Sequence, residues 1–268
     1  MDSFSDMHFK KYSDLLYKKV GIFISQNKRE TFKMKIDKSM AKQKLKSYDE
    51  HLSYLQKKDS AEYFQQFVND ITTNTTEFFR EKEHFDFIEQ NLKTILKNNP
   101  RILNSGEIRI WSAGCSSGQE PVTLSIFFKE CFRNKIDVKI LATDIDSKIL
   151  SEAIKGKYSF ATCETIPKSI LLKYFHKTGE TFSVNEEIKE SITYRHFNLM
   201  NDYNFKKGFD IIFCRNVMIY FDNAIQQKLA DKFYNQLIPG GLLFISHSES
   251  LLNKTHNYKY LGPAIYMK

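Results

Sequence analysis

The chain is expected to be an α/β protein, an open and mostly parallel sheet finished by an antiparallel strand and preceded by a small all-α domain. Three observations predict this. Residues 1–98 contain one glycine, Gly21, and no proline, and their apolar residues recur at helical spacing. From Ile108 onward, short apolar runs alternate with amphipathic stretches, as in repeated strand–helix units. The last two runs are separated only by Gly262-Pro263, which reads as a hairpin turn.

In the helical segment the periodic groups are Phe9, Tyr12, Leu15 and Leu16; Phe32, Ile36 and Met40; Tyr63, Phe67, Val68 and Ile71; and Phe85, Ile88, Leu92 and Ile95. They predict four or five helices over 1–98, with 99–107 as a linker marked by Pro100 and Gly106 and a second domain over 108–268. That domain opens with a short strand through Ile108, Ile110 and Trp111. A turn of small residues, Ser112 to Gly118, leads into a helix that starts at Glu120-Pro121 and ends near Phe132. Glycine lets backbone approach a ligand closely, and the free amides of a first helical turn face it. Proline suits that turn because its missing N–H would have had no helical partner.

Asp137–Thr143 reads as a second strand ending at Asp144-Ile145-Asp146, with Ser147 capping a helix through Lys155. Pro167–Phe175 follows as a helix. Thr181–Val184 and Ile192–Phe197 read as a small hairpin, making about 178–197 a possible β-subdomain insert. Phe209–Cys214 is the clearest buried strand, followed by helix Asn223–Leu237 and strand Leu242–Ser246. Tyr258–Leu261 and Ala264–Met267 make the terminal hairpin.

No window approaches the roughly 18 unbroken apolar residues of a membrane span, and Met1–Asp6 carries acids where a secretory signal needs an apolar core. Cys115, Cys131, Cys163 and Cys214 are widely spaced, which supports neither a zinc site nor a disulfide framework and suggests a cytoplasmic setting. The net charge of +8 allows an acidic partner. Much of the excess lies between Lys28 and Lys46, where eight Lys or Arg face only Glu30 and Asp37. Taken alone, that run is better explained as a solvated helix face.

The ligand is narrowed by Asp144, an acid ending the second strand, where a carboxylate accepts both ribose hydroxyls of an adenosine. Asp146 is a rival for that role, although it better suits a helix start. A strict G-x-G-x-x-G is missing, which counts against a dinucleotide and its pyrophosphate. S-adenosylmethionine carries no phosphate and needs fewer glycines. The residues therefore lean towards a methyltransferase over a dehydrogenase.

Five stretches carry a resemblance over nearly the whole chain: Thr73–Glu81 (TNTTEFFRE), Trp111–Pro121 (WSAGCSSGQEP), Ala142–Asp146 (ATDID), Phe209–Phe221 (FDIIFCRNVMIYF) and Gly241–Glu249 (GLLFISHSE). In this order they resemble the CheR family of chemotaxis-receptor glutamate methyltransferases. The resemblance implies a Rossmann-like methyltransferase domain behind a helical domain. It implies methyl transfer from S-adenosylmethionine, without a metal and leaving S-adenosylhomocysteine, to glutamates on a receptor's cytoplasmic helices. It further implies that Asn74, Thr76 and Arg80 reach the cofactor from the N-terminal side, with Arg80 holding the methionyl carboxylate or orienting the substrate. Glu120 would take the methionyl amino group, and Asn198 and Leu199 would flank the adenine, with plain core packing the alternative for Leu199. Gly114, Asp144, Arg215 and Asn216 would complete the cofactor site, and Tyr220 would stand beside the acceptor glutamate with Arg80 as its partner in aiming it. Phe78 and Phe79 read as core, and His247 and Glu249 as structural.

Acidic methylation helices make the basic helix Lys28–Lys46 the expected docking face. A monomer that binds no nucleic acid and enters no membrane is expected. Some relatives grip a tethering peptide with a β-subdomain, but 178–193 is short, with Gly179 its only glycine, so tether binding is not expected. The rivals are a nucleic-acid methyltransferase, suggested by charge alone, and a non-catalytic cofactor-binding scaffold.

Overall fold

The structure, a computed structural model, describes residues 3–57, 60–252 and 254–268. It begins with helices α1 (Asp6–Val20), α2 (Arg29–Lys42), α3 (Tyr48–Gln56) and α4 (Ala61–Ile71). Ser5 caps α1: its hydroxyl accepts from the His8 amide at 3.2 Å, while its own amide donates to His8 Nδ1. The four helices close on a core of their own around the fully buried Tyr12, Leu16, Ile36 and Met40.

Helix α5 (Lys82–Asn98) has a different allegiance. It was expected with the helical segment, yet Phe85, Ile88 and Ile95 pack with Ile110, Phe213 and Phe244 of the sheet. An amphipathic stripe must bury itself, and here the nearest uncovered apolar surface is a sheet face. The packing boundary therefore falls after Ile71, earlier than the residue 98 expected from helical periodicity.

After α6 (Arg101–Ser105) the chain alternates: β1 (Glu107–Ala113), α7 (Gln119–Phe132), β2 (Asp137–Asp144), α8 (Ser147–Lys155), β3 (Lys157–Ser159). It continues with α9 (Phe160–Cys163), α10 (Lys168–Tyr174), β4 (Phe175–Thr178), β5 (Thr181–Val184), α11 (Glu186–Lys189) and β6 (Ile192–His196). It ends with β7 (Phe209–Cys214), α12 (Asn223–Gln236), β8 (Leu237–Ile245), β9 (Lys259–Gly262) and β10 (Ile265–Met267). The main sheet runs β6-β2-β1-β7-β8-β10-β9, parallel through β8 and antiparallel beyond it. β7 is buried at every position, as a central parallel strand covered on both faces must be. On the face opposite α5, Trp111 packs edge-on against Tyr203, Phe205 and Phe233 and donates its indole N–H to Thr143 Oγ1 at 2.9 Å.

Two expectations are corrected here. Thr181–Val184 does not pair with Ile192–Phe197. It is the middle strand of a separate antiparallel sheet, β3-β5-β4, while β6 lies parallel to β2 at the edge of the main sheet. The connection between β5 and β6 is occupied by α11, which buries Ile188, so no tight hairpin turn forms. β6 instead covers a row of β2 backbone groups that would otherwise be unpaired. The cap of α8 is Asp146, whose Oδ1 accepts from the amides of Lys148 and Ile149 at 3.0 Å each. Ser147 is the first helical residue, its hydroxyl accepting from Asn69 Nδ2.

Candidate functional site

The strand order sets the carboxyl ends of β2, β1 and β7 side by side, at the point where successive connections leave in opposite directions, the usual ligand seat of an open α/β sheet. A cavity of about 520 Å³ opens there. Its floor is made by Gly114, Ser116, Glu120, Asp144, Arg215 and Asn216. Its roof is the strap Thr72–Thr76, which joins the helical core to the rest, together with Arg80. The third wall comes from Tyr220 and from the α1–α2 connection and the start of α2.

Local chemistry builds the floor. Gly114 has φ of 91°, and a side chain there would drive into Val217, so this position demands glycine on both counts. The Asp144 carboxylate accepts from the amides of Ser116 at 2.7 Å and Asp146 at 2.9 Å, locking the glycine-bearing turn to the end of β2. Burial pushes the Asp144 carboxyl upward, and those amides oppose the shift. Each of its oxygens has accepted one hydrogen bond and retains room for another.

Asp146 is different. Thr72 Oγ1 and Asn74 Nδ2 donate to its Oδ2 at 2.7 Å each, and the two α8 amides fill Oδ1. All four acceptor positions are taken, so Asp146 is a clasp for the strap and Asp144 is the carboxylate left facing the cavity. From the other side Lys35 Nζ donates to the carbonyls of Ile71 and Thr72 and to Thr73 Oγ1. The strap is thus pinned between a lysine of the helical core and an aspartate of the sheet. It also accepts, through the Asn74 carbonyl, from Ser116 Oγ at 3.1 Å.

Glu120 and Arg215 form a buried pair: Arg215 Nε donates to Glu120 Oε2 at 2.8 Å, and Ser112 Oγ donates to Oε1 at 2.6 Å. Arg215 also donates to the Arg80 carbonyl, fixing the backbone of the roof. Asn216 follows with φ of 58° and donates to Ser246 Oγ. Glu249 accepts from the amides of Ser246, Asn216 and Ile219, so it braces the loop that carries Tyr220. The Tyr220 hydroxyl donates to the Thr73 carbonyl at 3.4 Å. Burial raises the Tyr220 phenol above its ordinary range, with the nearby Arg80 charge opposing it, so the hydroxyl stays protonated at neutral pH.

Of the residues singled out from sequence, Asn74, Thr76, Arg80, Gly114, Glu120, Asp144, Arg215, Asn216 and Tyr220 line one cavity. Asn198 and Leu199 do not. Asn198 Nδ2 donates to the Lys19 carbonyl, and Leu199 is buried in the core around Trp111. Sequence reasoning missed Ser116, Lys35 and Phe23, all of which line the cavity. Lys35 could not have been told from its neighbours, since nothing in a basic run marks the one lysine that turns inward.

Among the described residues one group of metal-capable side chains gathers behind Arg215: Glu81, His84 and His247. The two imidazoles stack with centroids 4.8 Å apart, and Glu81 faces the Arg215 guanidinium at 3.7 Å.

The chain matches known proteins along almost its full length. Residues 7–72 match the family description "CheR methyltransferase, all-alpha domain", and residues 74–267 match "CheR methyltransferase, SAM binding domain". The junction falls in the strap. Among curated relatives, a chemotaxis protein methyltransferase of Borreliella burgdorferi is 39% identical over 95% of this chain and 91% of its own length. The chemotaxis protein methyltransferase 2 of Vibrio cholerae is 35% identical over 92% and 86%. A chemotaxis protein methyltransferase of Escherichia coli is 31% identical over 98% and 91%.

Proposed function

The chain belongs to the CheR methyltransferase family and is an S-adenosylmethionine-dependent methyltransferase, and from that premise we propose that it esterifies glutamate side chains on the cytoplasmic helices of chemotaxis receptors, acting in the cytoplasm as a monomer. The reading agrees with the names of the three relatives given above, each a chemotaxis protein methyltransferase. The single observation that carries it is the mixed charge of the cavity, where the buried carboxylates Glu120 and Asp144 lie beneath a roof bearing Arg80 and a wall bearing Tyr220.

S-adenosylmethionine fits these residues. The volume lies within the range of small-molecule sites, about 300–1,000 Å³. The spare lone pairs of Asp144 suit two ribose hydroxyls, and Glu120 suits the methionyl ammonium. Gly114, where an added side chain would collide with Val217, keeps the turn backbone at the cavity floor. The cosubstrate supplies an electrophilic methyl: a carboxylate oxygen forms the new C–O bond as the C–S bond breaks, the electron pair returning to sulfur.

A glutamate is already ionised at neutral pH, with an ordinary pKa of about 4.3, so no protein base is needed. Arg80 and the protonated Tyr220 then aim the acceptor by donating to it, and the strap excludes water from two opposite charges that neutralise each other. A guanidinium and a phenol O–H are donors suited to a carboxylate. Asn198 and Leu199 are left out of this assignment.

Mass spectrometry of a receptor cytoplasmic fragment, incubated with the protein and S-adenosylmethionine, tests the reading. A methyl ester on glutamate is expected. Methylated RNA with an unmodified fragment would replace it with the nucleic-acid alternative.

A further inference from the structure

Eleven large apolar side chains stand exposed among the described residues, and only two of them, Phe23 at 51% and Ile219 at 46%, line the main cavity. Scattered apolar residues on a surface need no explanation. These two are not scattered. Ile219 directly precedes Tyr220, and the Phe23 amide donates to the Tyr220 carbonyl at 2.8 Å, so both residues are tied by their backbones to the segment that carries the tyrosine. They come from opposite halves of the molecule, Phe23 from the α1–α2 connection and Ile219 from the loop after β7. The Ile219 amide is held by Glu249 at 3.1 Å, and the α1–α2 connection begins at Gly21, in the left-handed conformation and packed against Met200 and Phe221.

The surroundings state what kind of partner would cover this pair. Lys28 and Lys35 line the same cavity, and Arg80 faces it from the roof. Lys35 is committed to the strap, but Lys28 is exposed and makes no ion pair among the described residues. Along α2 the exposed positions Lys28, Thr31, Met34 and Lys38 follow at intervals of three and four, one helical face, and Met34 is 70% exposed. The rim is therefore cationic on one side and apolar around the tyrosine. An occupant that satisfies both is an acidic amphipathic helix whose acceptor carboxylate has apolar neighbours one turn before or after it.

We propose that Phe23 and Ile219 are substrate-specificity residues, an apolar pair that grips the side chains flanking the acceptor glutamate and so selects which glutamates of a helix reach Tyr220. This rests on the glutamate-methylating function proposed above. Their contact is made only with the protein substrate. It differs from the cationic stripe in being apolar, and hence insensitive to screening.

The experiment compares the intact wild-type protein with Phe23→Ala, Ile219→Ala and the double variant on a receptor cytoplasmic fragment, with S-adenosylhomocysteine affinity measured by calorimetry. The double variant is expected to raise the KM for the fragment about tenfold, a change on the scale of removing two half-buried apolar contacts. S-adenosylhomocysteine affinity should stay within about twofold, and the KM ratio should persist at about 0.5 M salt, where surface charge is screened. Phe23→Leu should recover most of the wild-type KM. An unchanged KM overturns the proposal while leaving glutamate methylation standing. Cofactor affinity falling in step with KM also overturns it, since the pair would then be a wall of the cofactor pocket. Failure of the wild type to methylate any glutamate would instead remove the underlying function.

Discussion

Asp144 and Asp146 stand two residues apart and have opposite tasks. The carboxylate of Asp146 is saturated by four donors, whereas that of Asp144 accepts from only two, so only Asp144 has acceptor capacity to offer a ligand. Glu120 and Arg215 make the same point for buried charge. Their pairing is tolerable because Ser112 and the Arg80 carbonyl satisfy further positions, and removing either partner would strand the other. Arg80 and Tyr220 have no such structural burden: Arg80 donates to the Thr75 carbonyl, and Tyr220 makes one long bond to Thr73. Arg80→Ala and Tyr220→Phe should therefore fold normally and lower kcat by about tenfold or more, the scale of losing an aiming hydrogen bond in the transition state. S-adenosylhomocysteine affinity, read by calorimetry, should change far less for Tyr220→Phe. Undiminished kcat in that variant would remove the tyrosine from the reaction.

Among the elements, the strap Thr72–Thr76 connects most of what matters. It joins α4 to the sheet core, roofs the cavity and is held by Lys35 on one side and Asp146 on the other. Asp146→Asn separates the two duties of that aspartate. Asparagine caps helices as well as aspartate does, so α8 keeps its start, but the new amide nitrogen faces the Asn74 Nδ2 donor. We expect a melting temperature close to wild type and S-adenosylhomocysteine binding weakened about tenfold, in keeping with loss of two charge-assisted bonds. Equal binding would show the clasp to be dispensable. In α2, Arg29 pairs with Asp6 and Glu30, Lys33 with Asp37 and Lys42 with Asp70, which leaves Lys28 and Lys38 as the exposed cations on the face that starts at the cavity. Replacing both with glutamate should raise the KM for a receptor fragment, and the difference from wild type should shrink as salt is added. A salt-independent difference would argue against electrostatic docking.

At the scale of the whole molecule, the helical core and the packing of α5 on the sheet each enclose a neutral histidine. His51 is fully buried in the helical core, its Nδ1 bonded to the Tyr12 hydroxyl at 2.8 Å, and burial lowers its pKa to about 4. His84 is fully buried where α5 meets the sheet, and burial, with Arg215 and His247 nearby, lowers its pKa to about 3. A histidine depressed in the folded state binds its proton preferentially when unfolded. Stability should accordingly be full above about pH 6.5 and fall as pH drops towards 4 and then 3, by up to about 2 kcal/mol per histidine between pH 7 and 5. Urea midpoints at the two pH values check this. His51→Phe, which keeps the helical core filled, should flatten the dependence; an unaltered slope would mean that His51 does not contribute. No described helix is long and apolar enough to cross a membrane.

Local order in the chain was enough to reveal the helical start, the strand–turn–helix seat around Gly114 and the acid at the end of β2, because each depends on neighbours within one or two turns. It was also enough to bring Arg80, Glu120, Arg215 and Tyr220 under suspicion, since they sit beside the strand ends or within the resembling stretches. What it could not decide was allegiance between distant parts. α5 looks like its helical predecessors until the sheet face it covers exists, β6 looks like half a hairpin until the edge of β2 is there to receive it, and Lys35 looks like its basic neighbours. Asn198 and Leu199 follow β6 in sequence but turn to Lys19 and to the Trp111 core. Those choices depend on which long-range surfaces remain uncovered once the chain has closed, a quantity set only by the assembled fold.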